Sequence, residues 1–432
     1  MLRRVKNITY NRKQDIESVF KRFREEFLNI YFPGSRIAEH FYWQDVEKLS
    51  ANYSRLFMFQ YSLWSRYWFH RHIYRSVVLT GEGDQTFEPI RQASVDGALF
   101  YMPNHQAHID SMVISWVAKQ LRVPQPMFIA WNTLARRRSS YLMPLVNSCL
   151  LDRQVMDNRF QVLDEFRNSR NYRAGYAALF TRYLERMLTN GVDTLIYPEG
   201  GRSYSGRMGD AKIKRVFKTV KKVQASLEGN RRISVVPVAL SFSLVPEAGQ
   251  LIRAYHKKSF LPPSSLFHDL QDGDDRYAAF RPQYRVKTSH PFIKAYTEKR
   301  IPIFCVMGQP IPIKDHPGIS LEECFDVVRK NRKILPPHFM ARLLLSDPAG
   351  IAGKWKSHGT EGLLEPARSL RGTLSAPQLD NAYFSDDTLS DILSIGMEYF
   401  QYSKTVSGKG EINDYPLLEY YANKCILSGQ DR

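Results

Sequence analysis

The sequence predicts an α/β fold with a mostly parallel central sheet flanked by helices and an added N-terminal helical region. Three observations predict it. Past residue 81, short apolar runs alternate with stretches of helical period, the signature of strand–crossover–strand units. Two segments rich in chemistry-bearing side chains each follow such a strand-like run. Before residue 81 the chain is aromatic, with a helical period instead.

The elements follow in order. Between Tyr53 and Tyr74, nine of 22 residues are Phe, Tyr or Trp, and Phe57, Tyr61, Trp64 and Trp68 share one helical face. That face suits either a packed helical subdomain or a surface docking in a membrane interface beside Arg55, Arg66, Arg71 and Arg75. Strands are expected at Gly97–Pro103, Pro126–Ala130, Thr194–Pro198, Ser234–Phe242 and Ile301–Val306. Helices are expected after the first strand (Ile109, Met112, Val113, Trp116, Val117), at Tyr172–Leu188, at Lys214–Leu227 and over 320–346. Residues 352–382 contain Gly, Ser and Pro without a period and read as loop. The resulting division is 1–80, an aromatic helical region with possible membrane docking; 81–346, the α/β domain; 347–382, linker or loop; and 383–432, a C-terminal helical tail.

Composition narrows the function classes. Sixty-one Lys and Arg against 43 Asp and Glu give a net charge of +18, which calls for an anionic partner. Base-stacking and groove-reading motifs are lacking, so a nucleic-acid partner is not expected. No run of 18 apolar residues occurs, and the basic N-terminus has no apolar core behind it, so neither a spanning helix nor a cleaved signal is expected. The four cysteines form no CxxC pair and read as reduced thiols.

The first chemical segment is MPNHQAHIDS, 102–111. His105 and Asp110 are too far apart in angle to meet on one helix, but they meet if His105 lies in the loop and Asp110 in the first helical turn. Asp110 would then accept from one imidazole nitrogen and leave the other as a base for an attacking hydroxyl. His108 completes a His-x-x-His-x-Asp string, but no further ligand cluster accompanies it, and no metal is expected. The second segment, IYPEGGRSYSGRMGDAKIK, places Gly200 and Gly201 before a run from Arg202 to Lys222 with eight Lys or Arg and one Asp. A Gly-rich turn feeding cations is a plausible phosphate site. It is not a P-loop, because Arg207-Met208 replaces Lys-Ser/Thr. Nor is it a nucleophile elbow, because Ser205 stands where the last Gly belongs.

Together the two segments resemble the glycerolipid acyltransferase superfamily, which acylates glycerol-3-phosphate, dihydroxyacetone phosphate or lysophosphatidate. The first block of that family, Asn-His-x4-Asp, is matched by Asn104, His105 and Asp110. Its third is matched by Glu199, Gly200, Gly201, Arg202 and Ser203, and its fourth by Val236, Pro237 and Val238. The second block retains only its Asp152-Arg153 end; Asn147 replaces the usual Gly but tolerates left-handed geometry. The resemblance covers about residues 95–315 and implies His105 as general base with Asp110 as its partner. It also implies Arg153, Arg202 and Arg207 on the acceptor phosphate, and Glu199 and Gly200 shaping the turn. The implied donor is acyl-CoA or acyl carrier protein, the acceptor a phosphorylated glycerol, with no cofactor. Block three and its extension through Gly206 and Arg207 resemble the glycerol-3-phosphate or dihydroxyacetone phosphate branch, whereas Asp152-Arg153 looks like the lysophosphatidate branch; the longer match favours the former. A lysophosphatidate acyltransferase is the nearest alternative. A hydrolase using Ser203, or a metal at His105 and His108, and a basic nucleic-acid-binding protein are alternatives from other classes. The expected location is an anionic membrane surface, bound peripherally on its cytoplasmic face.

Overall fold

The computed structural model describes residues 19–33, 35–51, 56–57, 59–61, 63, 77–82, 86–107, 109–131, 144–156, 165–245, 247–249, 251–252, 303–374, 378–379 and 384–426. Trp64, Trp68, His108, the four arginines at 55, 66, 71 and 75, and the side chain of Arg153 lie outside them.

Among the described residues eight strands form one sheet: β1 (Val77–Gly81), β2 (Gly97–Pro103), β3 (Met127–Trp131), β4 (Ser148–Leu151), β5 (Thr194–Leu195), β6 (Arg232–Phe242), β7 (Ile303–Met307) and β8 (Ile311–Pro312). The order is β1-β7-β6-β2-β5-β3-β4, with β8 on β6. Pairing is parallel throughout except where β6 meets β7 and β8. The five expected strands are all present, the one expected at Thr194–Pro198 only over Thr194–Leu195. The runs at β4 and β8 are too short to stand out by pattern; β1, as long as β3 and β7, is only partly buried along most of its length, and it crosses the division drawn at residue 80.

Alternation along the strands sorts side chains to two faces. Leu99 and Tyr101 of β2, with Val236, Val238, Leu240 and Phe242 of β6, join one core; Ala98, Phe100 and Met102 join the other. The first core is covered by α4 (Asp110–Leu121) and by the C-terminal helices α8 (Pro336–Ser346), α11 (Leu389–Tyr402) and α12 (Tyr415–Ala422). The second is covered by α1 (Lys21–Tyr31), α2 (Arg36–Leu49), α5 (Arg170–Thr189), α6 (Lys214–Ser226) and α7 (Leu321–Asn331). α3 (Glu88–Asp96) leads into β2.

The N-terminal helices are held by their aromatics. Phe20 stacks on Tyr183 of α5, Phe27 packs against Tyr42, and the Tyr42 hydroxyl donates to the Phe20 carbonyl. Beneath them Arg167 donates to both Asp45 and Asp152, and the Tyr172 hydroxyl donates to Asp45. This buried network ties α2 to the end of β4.

The stretch 320–346, expected as one helix, breaks between α7 and α8, where Pro336 and Pro337 open the second helix and cannot continue the first. Residues 347–382, read as linker or loop, contain α9 (Pro348–His358) and α10 (Leu364–Thr373). α9 buries only Ile351, so no apolar stripe marks it; the Asp347 side chain caps it by accepting from Gly350 N–H.

The connections after β2 and β5, which pair in parallel, run in opposite directions. From β2 the chain passes through α4 to β3; from β5 it passes through α6 to β6. The two connections cross on opposite faces of the sheet, and the crevice between their loops lies at the carboxyl ends of adjacent parallel strands, the end where ligands bind in open α/β sheets.

Candidate active site

Both chemical segments meet in that crevice. Asn104 continues β2 by side-chain mimicry: its Oδ1 accepts from Leu240 N–H at 2.7 Å and its Nδ2 donates to Leu240 O at 2.9 Å. His105 then leaves the sheet. Its N–H donates to Glu199 Oε2 at 2.8 Å, and its carbonyl accepts from Ser203 N–H at 3.0 Å. The two loops are thus knit through the backbone of the histidine itself.

Asp110 is the first residue of α4 and is fully buried. Its Oδ2 accepts from His105 Nδ1 at 2.8 Å and Gln106 N–H at 2.7 Å, and both of its oxygens accept from Ala107 N–H at 3.1 Å. This is the loop-then-first-turn arrangement expected from the spacing. Burial pushes the carboxyl up from its usual range, while the Ala107 and Gln106 N–H groups pull it back. Three donors converging on Oδ2, with the positive end of α4 behind, suit the ionised form. With Nδ1 on Asp110, Nε2 is the imidazole nitrogen that remains for proton transfer. Burial, and then the charge of Arg202, lower the His105 pKa to about 3, against an opposing pull from Glu247, so the ring is neutral near pH 7. Tyr197 stacks on it at 3.9 Å between ring centres.

Glu199 is a brace. Its two oxygens accept from His105 N–H and from Gly209 N–H at 2.9 Å, and burial lifts its pKa to about 7 against those two bonds. Ser203 is also buried, and its hydroxyl donates to the Arg207 carbonyl at 2.5 Å. Arg202 lies near His105 and pairs with Glu247 at 3.2 Å. Arg207 is exposed and donates to Asn423 Oδ1 at 3.1 Å.

Asn147, just before β4, has φ +65°, the left-handed geometry expected of it. Asp152 faces the Arg167 network, and Arg153 opens a short helix, Arg153–Met156. Among the described residues no cluster of three or more His, Cys, Asp or Glu is placed to hold a metal.

A cavity of about 890 Å³ opens beside His105. Its walls are Ser111, Met112 and Ser115 of α4, Phe128 and Ile129 of β3, and Ala177, Phe180 and Leu184 of α5. Gly200 and Gly201, with Lys212 and Arg215, line it on the side of the second segment, and Phe57 and Tyr61 line it from the N-terminal region. Ile196, just past the two-residue β5, still donates to the Tyr101 carbonyl of β2 and lines the cavity together with Tyr197. Its volume is of the size that encloses a whole organic ligand.

Sequence reasoning brought His105, Asp110, Glu199, Gly200, Gly201, Arg202 and Ser203 to one place. It missed Tyr197, Glu247, Gln106 and Lys424. Tyr197 immediately precedes the Pro-Glu-Gly-Gly run, and that adjacency was a usable signal. Gln106 lies inside the first segment beside His105, whereas Glu247 and Lys424 meet the site only through tertiary contacts.

Residues 84–241 match the family described as Acyltransferase. A glycerol-3-phosphate acyltransferase of Shewanella woodyi is 25% identical over 192 residues, 44% of this chain and 21% of that protein. One from Alteromonas mediterranea is 28% identical over 162 residues, 37% of this chain and 18% of its own length. The chain therefore spans about a fifth of the length of these relatives. The crystal structure of the 1-acyl-sn-glycerophosphate acyltransferase PlsC from Thermotoga maritima is 17% identical, with a TM-score of 0.31, covering 73% of this chain and 88% of that one.

Proposed function

Residues 84–241 matching the Acyltransferase family, we propose that the protein is an O-acyltransferase of the glycerolipid acyltransferase superfamily. It moves a fatty acyl group from acyl-CoA or acyl carrier protein to a glycerol phosphate, with glycerol-3-phosphate or dihydroxyacetone phosphate favoured. The observation that carries this reading is the His105–Asp110 pair set against a mostly apolar cavity. A thioester is already activated, so the protein needs a base, alignment and charge support rather than a covalent intermediate. Nε2 of His105 takes the proton of the acceptor hydroxyl as its oxygen bonds to the thioester carbonyl carbon. The tetrahedral adduct then breaks its C–S bond, and the imidazolium returns the proton to the departing thiolate. Asp110 supports the transient imidazolium. The acyl chain lies in the cavity. Arg202, which now pairs with Glu247, and Arg153 take the acceptor phosphate, with Lys212 and Arg215 adding positive charge.

The position of Ser203 Oγ, bonded to the Arg207 carbonyl, weighs against a serine-hydrolase reading. The test is transfer from labelled palmitoyl-CoA by purified protein to a panel of glycerol-3-phosphate, dihydroxyacetone phosphate, lysophosphatidate and glycerol, with and without EDTA. Transfer to a phosphorylated acceptor that survives EDTA supports the reading, and the preferred acceptor decides the branch. Hydrolysis without transfer overturns it.

The same reading places the protein peripherally on an anionic membrane. Among the described residues no helix is long and apolar enough to cross one. Leu56, Phe59 and Leu63 are 70%, 59% and 50% exposed, at spacings that share one helix face, while Phe57 and Tyr61 of the same stretch line the cavity. With a net charge of +18, binding to anionic vesicles that weakens with salt is the expected result in co-sedimentation. Absence of binding at low salt would remove the membrane from the reading.

A further inference from the structure

The loop after β5 is closed over by residues far along the chain. At Gly206, with φ +85°, a Cβ would stand 1.9 Å from the carbonyl oxygen of Tyr420 in α12, so only glycine lets the two backbones meet. Two bonds follow from Asn423: its Nδ2 donates to Ser205 O at 2.9 Å, and its Oδ1 accepts from Arg207 Nε at 3.1 Å. The next residue, Lys424, is 1% exposed. Its Nζ donates to Gln106 Oε1 at 2.8 Å and lies 4.9 Å from the centre of the Tyr420 ring. The backbone carrying it is clamped in turn, because the buried Arg332 donates to the carbonyls of Lys424 and Ile426.

Gln106 directly follows His105, and its own N–H is held by Asp110. Burying an ammonium costs more than one hydrogen bond returns, so an apolar side chain of this length would satisfy packing at lower cost. The lysine is nevertheless placed against the turn that carries the proposed base.

We propose that Lys424 is a positioning residue for the transfer reaction: through Gln106 it fixes the 104–110 turn, and the segment 415–426 is thereby part of the active site although it lies outside the family domain. This rests on the reading of His105 given above. Lys424 touches no reacting atom; it holds the orientation in which His105 keeps Nδ1 on Asp110.

The test is a double-mutant cycle of Lys424→Met and Gln106→Met with two independent readouts. Hydrogen exchange of the peptide spanning 104–111 needs no activity; each single variant is expected to speed it at least tenfold, the double no more than either. In the transfer assay each is expected to lower kcat by about 10- to 100-fold with both KM values within threefold and Tm within a few degrees, and the two losses are non-additive. Additive losses, unchanged exchange at 104–111, or losses that track a falling Tm would overturn the proposal. Should Lys424→Met fail to fold, Gln106→Met alone carries both readouts. If the wild type transfers no acyl group, the proposed function falls, and the exchange measurement still decides whether Lys424 orders the turn.

Discussion

At the scale of single residues, the two members of the dyad separate chemistry from structure. His105 donates only one side-chain bond, whereas Asp110 is fully buried and gathers N–H donors on both oxygens. His105→Ala is therefore expected to leave Tm nearly unchanged and to lower turnover by about 10²–10⁴-fold, the scale of general base catalysis. Asp110→Asn must turn an amide NH₂ or a weaker acceptor toward buried N–H groups. It is expected to lose turnover and also about 1–3 kcal/mol of stability by urea unfolding. Equal stability of the two variants would contradict the geometry. Lys424 makes a second residue-scale prediction. Burial first, and then the charge of Arg332, lower its pKa from 10.5 to about 7, against the opposing charges of Asp110, Glu199 and Glu247. Between those values the unfolded chain holds a proton that the folded chain has released. Stability therefore rises with pH across that window and is lost as pH falls toward 7, by at most about 1.4 kcal/mol per pH unit for one proton. Lys424→Met should flatten the slope between about pH 7 and 8, below the ordinary thiol midpoint of about 8.5 and well below that of tyrosine; unchanged slopes would show that the group is not desolvated. Its bond to Gln106 survives either protonation state, since both retain an N–H. His105 and Asp110 were legible because their chemistry lies within five residues. Lys424 was not, because 318 residues separate it from Gln106 and nothing in its neighbourhood marks it.

At the scale of elements, legibility followed burial pattern. β2 and β6 bury long continuous runs and α5 a helical stripe, and all three stood out in the sequence. β4 has four residues and α9 buries one side chain, so pattern had little to work on there, whereas the strand expected at Thr194–Pro198 is present over Thr194–Leu195. Asn147 shows the opposite case: a local conformational preference, φ +65°, predicted a turn that the family pattern alone would have placed in doubt. The glycines of the second segment give the element-scale prediction. Gly201 has nothing within 4 Å of a built Cβ, whereas Gly206 combines positive φ with backbone contact from α12. Gly206→Ala is expected to push α12 off the loop, lowering Tm by several degrees and reducing transfer. Gly201→Ala should hold Tm and act only through the cavity it lines. Matching Tm values for the two variants would show that the closure by α12 does not bear on the loop.

At the scale of the whole molecule, one topological fact produces the site. β2 and β5 are parallel neighbours whose connections cross on opposite faces of the sheet, so their two loops leave adjacent carboxyl ends, and residues of α4 and α5 wall the cavity beside them. Strand alternation in the sequence predicted a sheet, but strand order is a non-local property and no local pattern encodes it. The cavity lies beside the loops that this order brings together. If it holds the acyl chain, its walls limit chain length. Ala177 lies on α5, is 8% exposed and lines the cavity. Ala177→Phe would direct a ring into existing space rather than into packed atoms, so the stability cost of overpacking, typically about 1–3 kcal/mol, should be largely avoided. The expected outcome is a Tm close to wild type and a donor profile moved to shorter chains, with kcat/KM for palmitoyl-CoA falling at least about tenfold relative to a short-chain donor, a discrimination of about 1.4 kcal/mol. A profile that stays unchanged while the variant remains folded would mean that the acyl chain lies elsewhere and that the apolar space behind His105 serves some other ligand.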